Sequence, residues 1–101
     1  MPSKTQFYAQ LAAETARGLT ESLQRWTAFL ETSARLYKYP YYEQLLIFAQ
    51  KPEATACAGY EVWNDTMHRF VRRGSKGIAL LDTSGDNPRI KYVFDVSDTR
   101  L

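Results

Sequence analysis

One cysteine, Cys57, and one histidine, His68, remove most thiol and metal chemistry from this 101-residue chain. A lone cysteine excludes an internal disulfide and any multi-thiolate zinc site. A lone histidine excludes a two-histidine metal site of the His-Glu-x-x-His kind. Nor does any window approach the 18 or so apolar residues of a membrane-spanning helix, and residues 1–6 lack the apolar core of a secretory leader. A reducing cytoplasm is therefore the expected compartment. Charge of one sign is also scarce: the net charge is +2, so any attraction to a polyanion must come from where the charges sit rather than from their sum. We find no internal repeat and no low-complexity tract.

What the chain does contain is enough apolar and aromatic residue to fold. A hydrophobic fraction of 45% with 24% charged residues is the balance of a globular domain, and the length suits one domain spanning residues 1–101. The last residues, Asp98-Thr99-Arg100-Leu101, follow directly on a strand-like run, from which we expect a domain cut from a longer protein.

Three helices come first. Phe7, Tyr8, Leu11, Ala12 and Ala16 fall near helical spacing over residues 4–17, with Gly18 as a stop. Thr20 reads as the N-cap of a second helix ending near Arg35, its buried stripe formed by Leu23, Trp26 and Leu30 with Phe29 beside them. Pro40 suits the first turn of a third helix over 41–50, whose Leu45–Ala49 run is apolar nearly all round. Pro52 ends it. Residues 53–58 give no clear signal, and residues 59–65 suggest one or two helical turns with Tyr60 and Trp63 on one face.

Strand-like runs follow at about 68–73, 77–82 and 90–96. Gly74-Ser75-Lys76-Gly77 has the composition of a hairpin turn, and residues 83–88 form a longer polar loop. In the last run Ile90, Tyr92, Phe94 and Val96 alternate with Lys91, Val93 and Asp95, so the first set is expected to be buried. Helices gathered at about 4–50 and strands at about 68–96 predict an α+β fold, N-terminal helices packed on a small antiparallel β-meander.

The functional signal lies between Met67 and Ile78. That stretch holds Arg69, Arg72, Arg73 and Lys76 and no carboxylate, just after the aromatic pair Tyr60 and Trp63. Cations beside exposed rings suit single-stranded nucleic acid, because phosphates take the charge and unstacked bases take the rings. A solvated strand face would have the same composition. If Phe70 packs inward, Arg69 and Arg73 share the outer face, with Arg72 near the turn as a further candidate. Lys91, on the polar side of the last strand, completes the expected DNA-binding set of Tyr60, Trp63, Arg69, Arg72, Arg73, Lys76 and Lys91. Core packing is the commoner role for a single tryptophan such as Trp63. Four tyrosines at 37, 39, 41 and 42 form a second aromatic cluster beside Lys38, half of which should be buried.

No catalytic residue, metal or cofactor is expected. His68 with Cys57 would need a third group to orient the imidazole, and Asp95 with Asp98 reads as a solvated or turn-forming pair at a strand end. The Gly74–Gly77 turn lacks the spacing of a triphosphate-binding loop.

Several of these pieces occur together in one known family. The run Tyr41-Tyr42-Glu43-Gln44-Leu45-Leu46-Ile47-Phe48-Ala49-Gln50-Lys51-Pro52-Glu53-Ala54-Thr55 resembles the N-terminal domain of ArdC-type antirestriction proteins. So do Gly59-Tyr60 with Trp63, Arg69-Phe70-Val71, Gly74-Ser75-Lys76-Gly77-Ile78 and Val93-Phe94-Asp95-Val96-Ser97-Asp98-Thr99. The resemblance covers about residues 40–99, is similar in wording to the LtrC-like proteins of conjugative elements, and departs from the family at Asn64–Arg69. It implies a domain that binds single-stranded DNA without much sequence preference, tethering a larger antirestriction, primase or helicase type of protein. Trp63, Arg69, Gly74, Lys76 and Gly77 are the motif members carried over by position. The alternative is a protein-docking module that presents the Tyr37–Tyr42 cluster and the third helix to a partner.

Overall fold

Ser3 opens the first helix in the computed structural model, which describes residues 3–101. Its hydroxyl accepts the Gln6 N–H while the Gln6 side chain accepts the Ser3 N–H, a reciprocal cap that satisfies two donors at the start of α1 (Lys4–Leu19). Gly18 does not stop this helix, which continues to Leu19. Thr20 closes it instead, donating both its N–H and its hydroxyl to the Arg17 carbonyl. With Thr20 so occupied, the N-cap of α2 (Leu23–Arg35) is Ser22, whose hydroxyl accepts the Arg25 N–H at 3.0 Å. The expected Thr20 cap is thus displaced by two residues.

The stripe expected to bury α2 is on the outside. Phe29 and Thr32 face the core, whereas Leu23 is 80% exposed, Trp26 42% and Leu30 47%. The cause lies in what anchors the helix. Phe29 packs edge-on against Phe48 at 5.5 Å, and the Thr32 hydroxyl reaches the Pro52 carbonyl at 2.7 Å. Pro40 then starts α3 (Tyr41–Gln50), in which every residue from Glu43 to Phe48 is buried, as its all-round apolar pattern requires.

Helices first and antiparallel strands after make this an α+β fold. β1 (Cys57–Ala58), β3 (Ile78–Asp82) and β4 (Arg89–Asp95) form an antiparallel sheet in the order β1-β4-β3, with Ile78 opposite Val93 and Leu80 opposite Lys91. β2 (Phe70–Val71) does not join it. β2 pairs with β5 (Thr99–Arg100), so Gly74–Gly77 connects two sheets rather than closing a hairpin. Its glycines still have reasons. Gly74 sits at φ +84°, and a Cβ on Gly77 would lie 3.1 Å from the Tyr92 side chain.

The buried face of β4 is the reverse of the alternation's reading. Val93 and Asp95 are buried, while Tyr92 is exposed and Ile90 and Phe94 are half-buried. Lys91 and Asp95 made that face look polar, but both have partners. Lys91 pairs with Glu43 of α3 at 2.8 Å, and Asp95 accepts backbone N–H groups, so neither charge stands unpaired beside the buried Val93. Leu46, Ile47 and Leu80 lie at the centre of the core, joined by Ala12, Leu19, Phe29 and Leu36. Gln50 guards the free edge of β3 by exchanging two hydrogen bonds with Ala79, as a neighbouring strand would. Among the described residues no helix is long and apolar enough to cross a membrane.

Candidate nucleic-acid interface

Asp95 sets the path of the chain into β5, the strand that pairs with the basic segment. One of its carboxylate oxygens accepts the N–H groups of Thr55 and Ala56, and the other accepts the N–H and hydroxyl of Ser97. Burial alone would raise its pKa, but the Ser97 hydroxyl and these amides outweigh burial and hold it below the usual carboxylate range. The same bonds start the single 3₁₀ turn Val96–Asp98 that turns the chain into β5. Beside it, burial and the Asp95 charge push the Cys57 thiol up to about 12.

Trp63 sits on a π-helical turn, Val62–Thr66, the rarer winding of the helical segment expected here. It is 4% exposed, and its indole N–H donates to the Phe94 carbonyl at 2.8 Å. No face of that ring is open to a base, so Trp63 is a packing residue and leaves the stacking set. Tyr60, three residues earlier, is exposed. The two rings therefore do not share one platform.

β2 presents the opposite face from the one expected. Phe70 points outward, 51% exposed, and Arg100, its direct partner in β5, lays its guanidinium 5.2 Å from the Phe70 ring centroid. Thr99, opposite Val71, is buried, and Arg69 turns toward it, donating Nε to the Thr99 hydroxyl at 2.7 Å. Arg69 is thus spent on structure. It does not pair with Arg73 on an outer face.

The cations that remain lie along and beyond β2. The Arg72 N–H continues the ladder onto the Asp98 carbonyl at 2.7 Å, and Ser75 closes a turn onto the Arg72 carbonyl, leaving the side chains of Arg72, Arg73 and Lys76 exposed. Among the described residues none of these, nor Arg100, has a carboxylate partner. The nearby Asp98 carboxylate is paired with Lys51 at 3.1 Å. Burial disfavours the charged Lys51 ammonium, but the Asp98 hydrogen bond and charge more than offset it and raise its pKa. Lys91 stands apart, paired with Glu43 beside the groove between Pro40, Tyr42 and Leu81.

Five residues therefore form the exposed basic and aromatic face: Phe70, Arg72, Arg73, Lys76 and Arg100. Phe70 and Arg100 were missed because the sequence pattern pointed Phe70 inward and offered no partner strand at Thr99–Arg100. Among the described residues no group of three histidine, cysteine or carboxylate side chains could hold a metal ion. No family model, no curated protein and no solved structure matches this chain.

Proposed function

We propose that this chain is a single-stranded DNA binding domain of low sequence preference, and that its contact surface is the outer face of the β2–β5 ladder with the turn after it. The observation that carries the reading is the exposed Phe70–Arg100 pair, flanked by Arg73 and Lys76, which have no carboxylate partner among the described residues, and by Arg72, whose Nε also donates to the Thr99 carbonyl at 3.4 Å. An aromatic face offers stacking to any base, and a row of cations follows a phosphate backbone. Tyr60 is exposed, but no hydrogen bond or ring contact among the described residues joins it to this ladder, whereas Trp63 and Arg69 support it from within and Lys91 lies elsewhere.

The resemblance to the ArdC-type N-terminal domain, carried in part by this same segment, implies the same function. In that setting the domain works in a reducing cytoplasm, has no catalytic role and tethers an attached enzyme to transferred DNA. Four phosphate contacts would give a salt slope of roughly −2.8, at about −0.7 per neutralised charge on a single strand. Exposed Tyr37, Tyr41 and Tyr42 favour a second reading, a docking surface for protein on the helical side.

Fluorescence anisotropy with a labelled single-stranded oligonucleotide and its matching duplex, at low and near-physiological salt, separates the two. Saturable, salt-sensitive binding that prefers the single strand and disappears in the Arg73→Glu/Lys76→Glu variant supports the DNA reading. A folded protein that binds neither oligonucleotide ends it.

A further inference from the structure

A polar cavity of about 330 Å³ lies between the end of α3 and the turn that follows β2. That is the small end for ligand sites, roughly 300–1,000 Å³, and suits one ring system rather than a peptide. Gln50 and Ile78 line it without offering a free group: Ile78 is apolar and buried, and the Gln50 amide is spent on Leu46 and Ala79. The chemistry comes from four charges, Lys51 and Glu53 just after α3, Lys76 in the basic turn and Asp98 in the 3₁₀ turn. Lys51 is fixed and half-buried. Its ammonium donates to one Asp98 oxygen at 3.1 Å, which leaves two N–H groups without a partner among the described residues. The Glu53 charge acts on the same ammonium from beyond ion-pair distance, so an acceptor and a donor stand near each other with room between them for the edge of a ligand. The cavity adjoins the basic face, because the Asp98 carbonyl holds the Arg72 N–H at 2.7 Å and the exposed Lys76 forms part of its rim.

Two cations against two carboxylates disfavour a simple ion. A free phosphate would meet Glu53 and Asp98, and a free ammonium would meet Lys51 and Lys76. The occupant that fits is neutral and carries donors and an acceptor along one edge, as a nucleobase does. Guanine alone presents two adjacent donors, N1–H and N2–H, for the two oxygens of one carboxylate, with O6 beside them for an ammonium. Adenine and cytosine set a ring acceptor next to their one amino group, and thymine has a carbonyl on each side of its single N–H. Each of those three would turn a lone pair toward a carboxylate.

We propose that this cavity binds a guanine base, with Glu53 accepting N1–H and N2–H and Lys51 donating to O6. Under the single-strand reading, on which this context rests, the base is one unstacked guanine of the bound strand and Lys76 holds the phosphate of the same nucleotide. The pocket then adds one position of base preference to a surface that otherwise has little.

Nuclear magnetic resonance titration of the ¹⁵N-labelled chain with the four deoxynucleoside monophosphates tests it. The amides of Lys51, Gly77 and Ile78, which line the cavity, should shift and saturate at about tenfold lower concentration with deoxyguanosine monophosphate than with the other three. Deoxyinosine monophosphate lacks the 2-amino group, and Glu53→Gln replaces one accepting oxygen by a donor, so each should lose that preference. Glu53 is exposed, and the variant should keep the parent circular dichroism melt. By anisotropy, one guanine placed in an all-thymine oligonucleotide should tighten binding by a similar factor in the parent and not in Glu53→Gln. Equal shifts with all four nucleotides, no shifts at these amides, or a guanine preference that survives Glu53→Gln overturns the proposal and leaves the single-strand reading standing. Selective binding of the guanine mononucleotide by a protein that binds no oligonucleotide supports the pocket and ends the single-strand reading instead.

Discussion

The Arg100 guanidinium lies 5.2 Å from the centroid of the Phe70 ring, and the two residues are direct partners across the β2–β5 ladder. The contact orients an exposed ring that has little else to hold it. Under the DNA reading Phe70 is a base platform, and Phe70→Ala should weaken single-strand binding by about 1–3 kcal/mol. Because the ring is half in water, stability should change by no more than about 0.5 kcal/mol. Anisotropy and a urea melt on the same variant check both halves.

Trp63 makes the opposite prediction. Its indole N–H is bonded to the Phe94 carbonyl and its ring is enclosed, so Trp63→Phe removes a buried hydrogen bond and leaves a small void. A loss of about 1–3 kcal/mol in the urea melt is expected, with DNA affinity of the folded protein unchanged. Lost affinity without lost stability would return Trp63 to the binding surface.

These two residues also mark where the sequence could be read and where it could not. The extents of the three helices were legible because apolar spacing is local, although the stop at Gly18 and the cap at Thr20 were misplaced, and α3 declared its burial by being apolar all round. The partner of β2 was not legible. Gly74–Gly77 encodes a turn, but nothing local says which strand lies beyond it, and β5 is two residues long. The phase of β4 was misread because Lys91 and Asp95 look like solvent residues until Glu43 and the amides of Thr55 and Ala56 are brought to them. Periodicity likewise showed that α2 has an apolar side, but could not show that Phe29 and Thr32 would win the core. At the candidate site Arg72, Arg73 and Lys76 were found from composition, while Phe70 and Arg100 required the fold.

The turn glycines separate two physical causes. Gly74→Ala places a side chain at φ +84°, with open space around it, and should cost about 1–2 kcal/mol through backbone strain alone. Gly77→Ala has no such strain but sets a methyl 3.1 Å from the Tyr92 side chain. Its cost, about 1 kcal/mol, should therefore fall in the Tyr92→Ala background, whereas that of Gly74→Ala should not. A double-mutant cycle in urea decides between strain and crowding at each position.

Asp95 makes the fold acid-sensitive. Its folded pKa is lowered by Ser97, Ala56 and Thr55, so the stability it contributes is present above the unfolded carboxyl value of about 3.9 and is lost as pH falls through the folded value. Asp95→Asn should cost about 2 kcal/mol at pH 7, since one oxygen is replaced by an amide that cannot accept, and should flatten the stability profile below about pH 4. Urea melts from pH 2.5 to 7 measure both effects. A parental profile that is already flat in that window would show that Asp95 is not what the acid side titrates.

The alkaline side is governed by Cys57 and Tyr39, whose folded values both rise to about 12. Burial is the main cause for each; the Asp95 charge adds to it at Cys57, and the Cys57 and Glu43 charges add to it at Tyr39. The Tyr39 hydroxyl also donates to the Cys57 carbonyl at 2.7 Å, a bond that a phenolate would give up. A raised value means that the folded state binds the proton more tightly than the unfolded one. Stability is then complete below the unfolded values, near 8.5 for a thiol and 10 for a phenol, and is lost as pH rises toward 12. Cys57→Ala should remove the first part of that loss, so its melt should fall less steeply than the parent's between about pH 9 and 10. The same protonated thiol should react slowly with a disulfide reagent at pH 8 in the folded protein and quickly in urea. Rapid reaction in the folded state would mean that the sulfur is more open and more ionised than its place between Asp95 and Tyr39 allows.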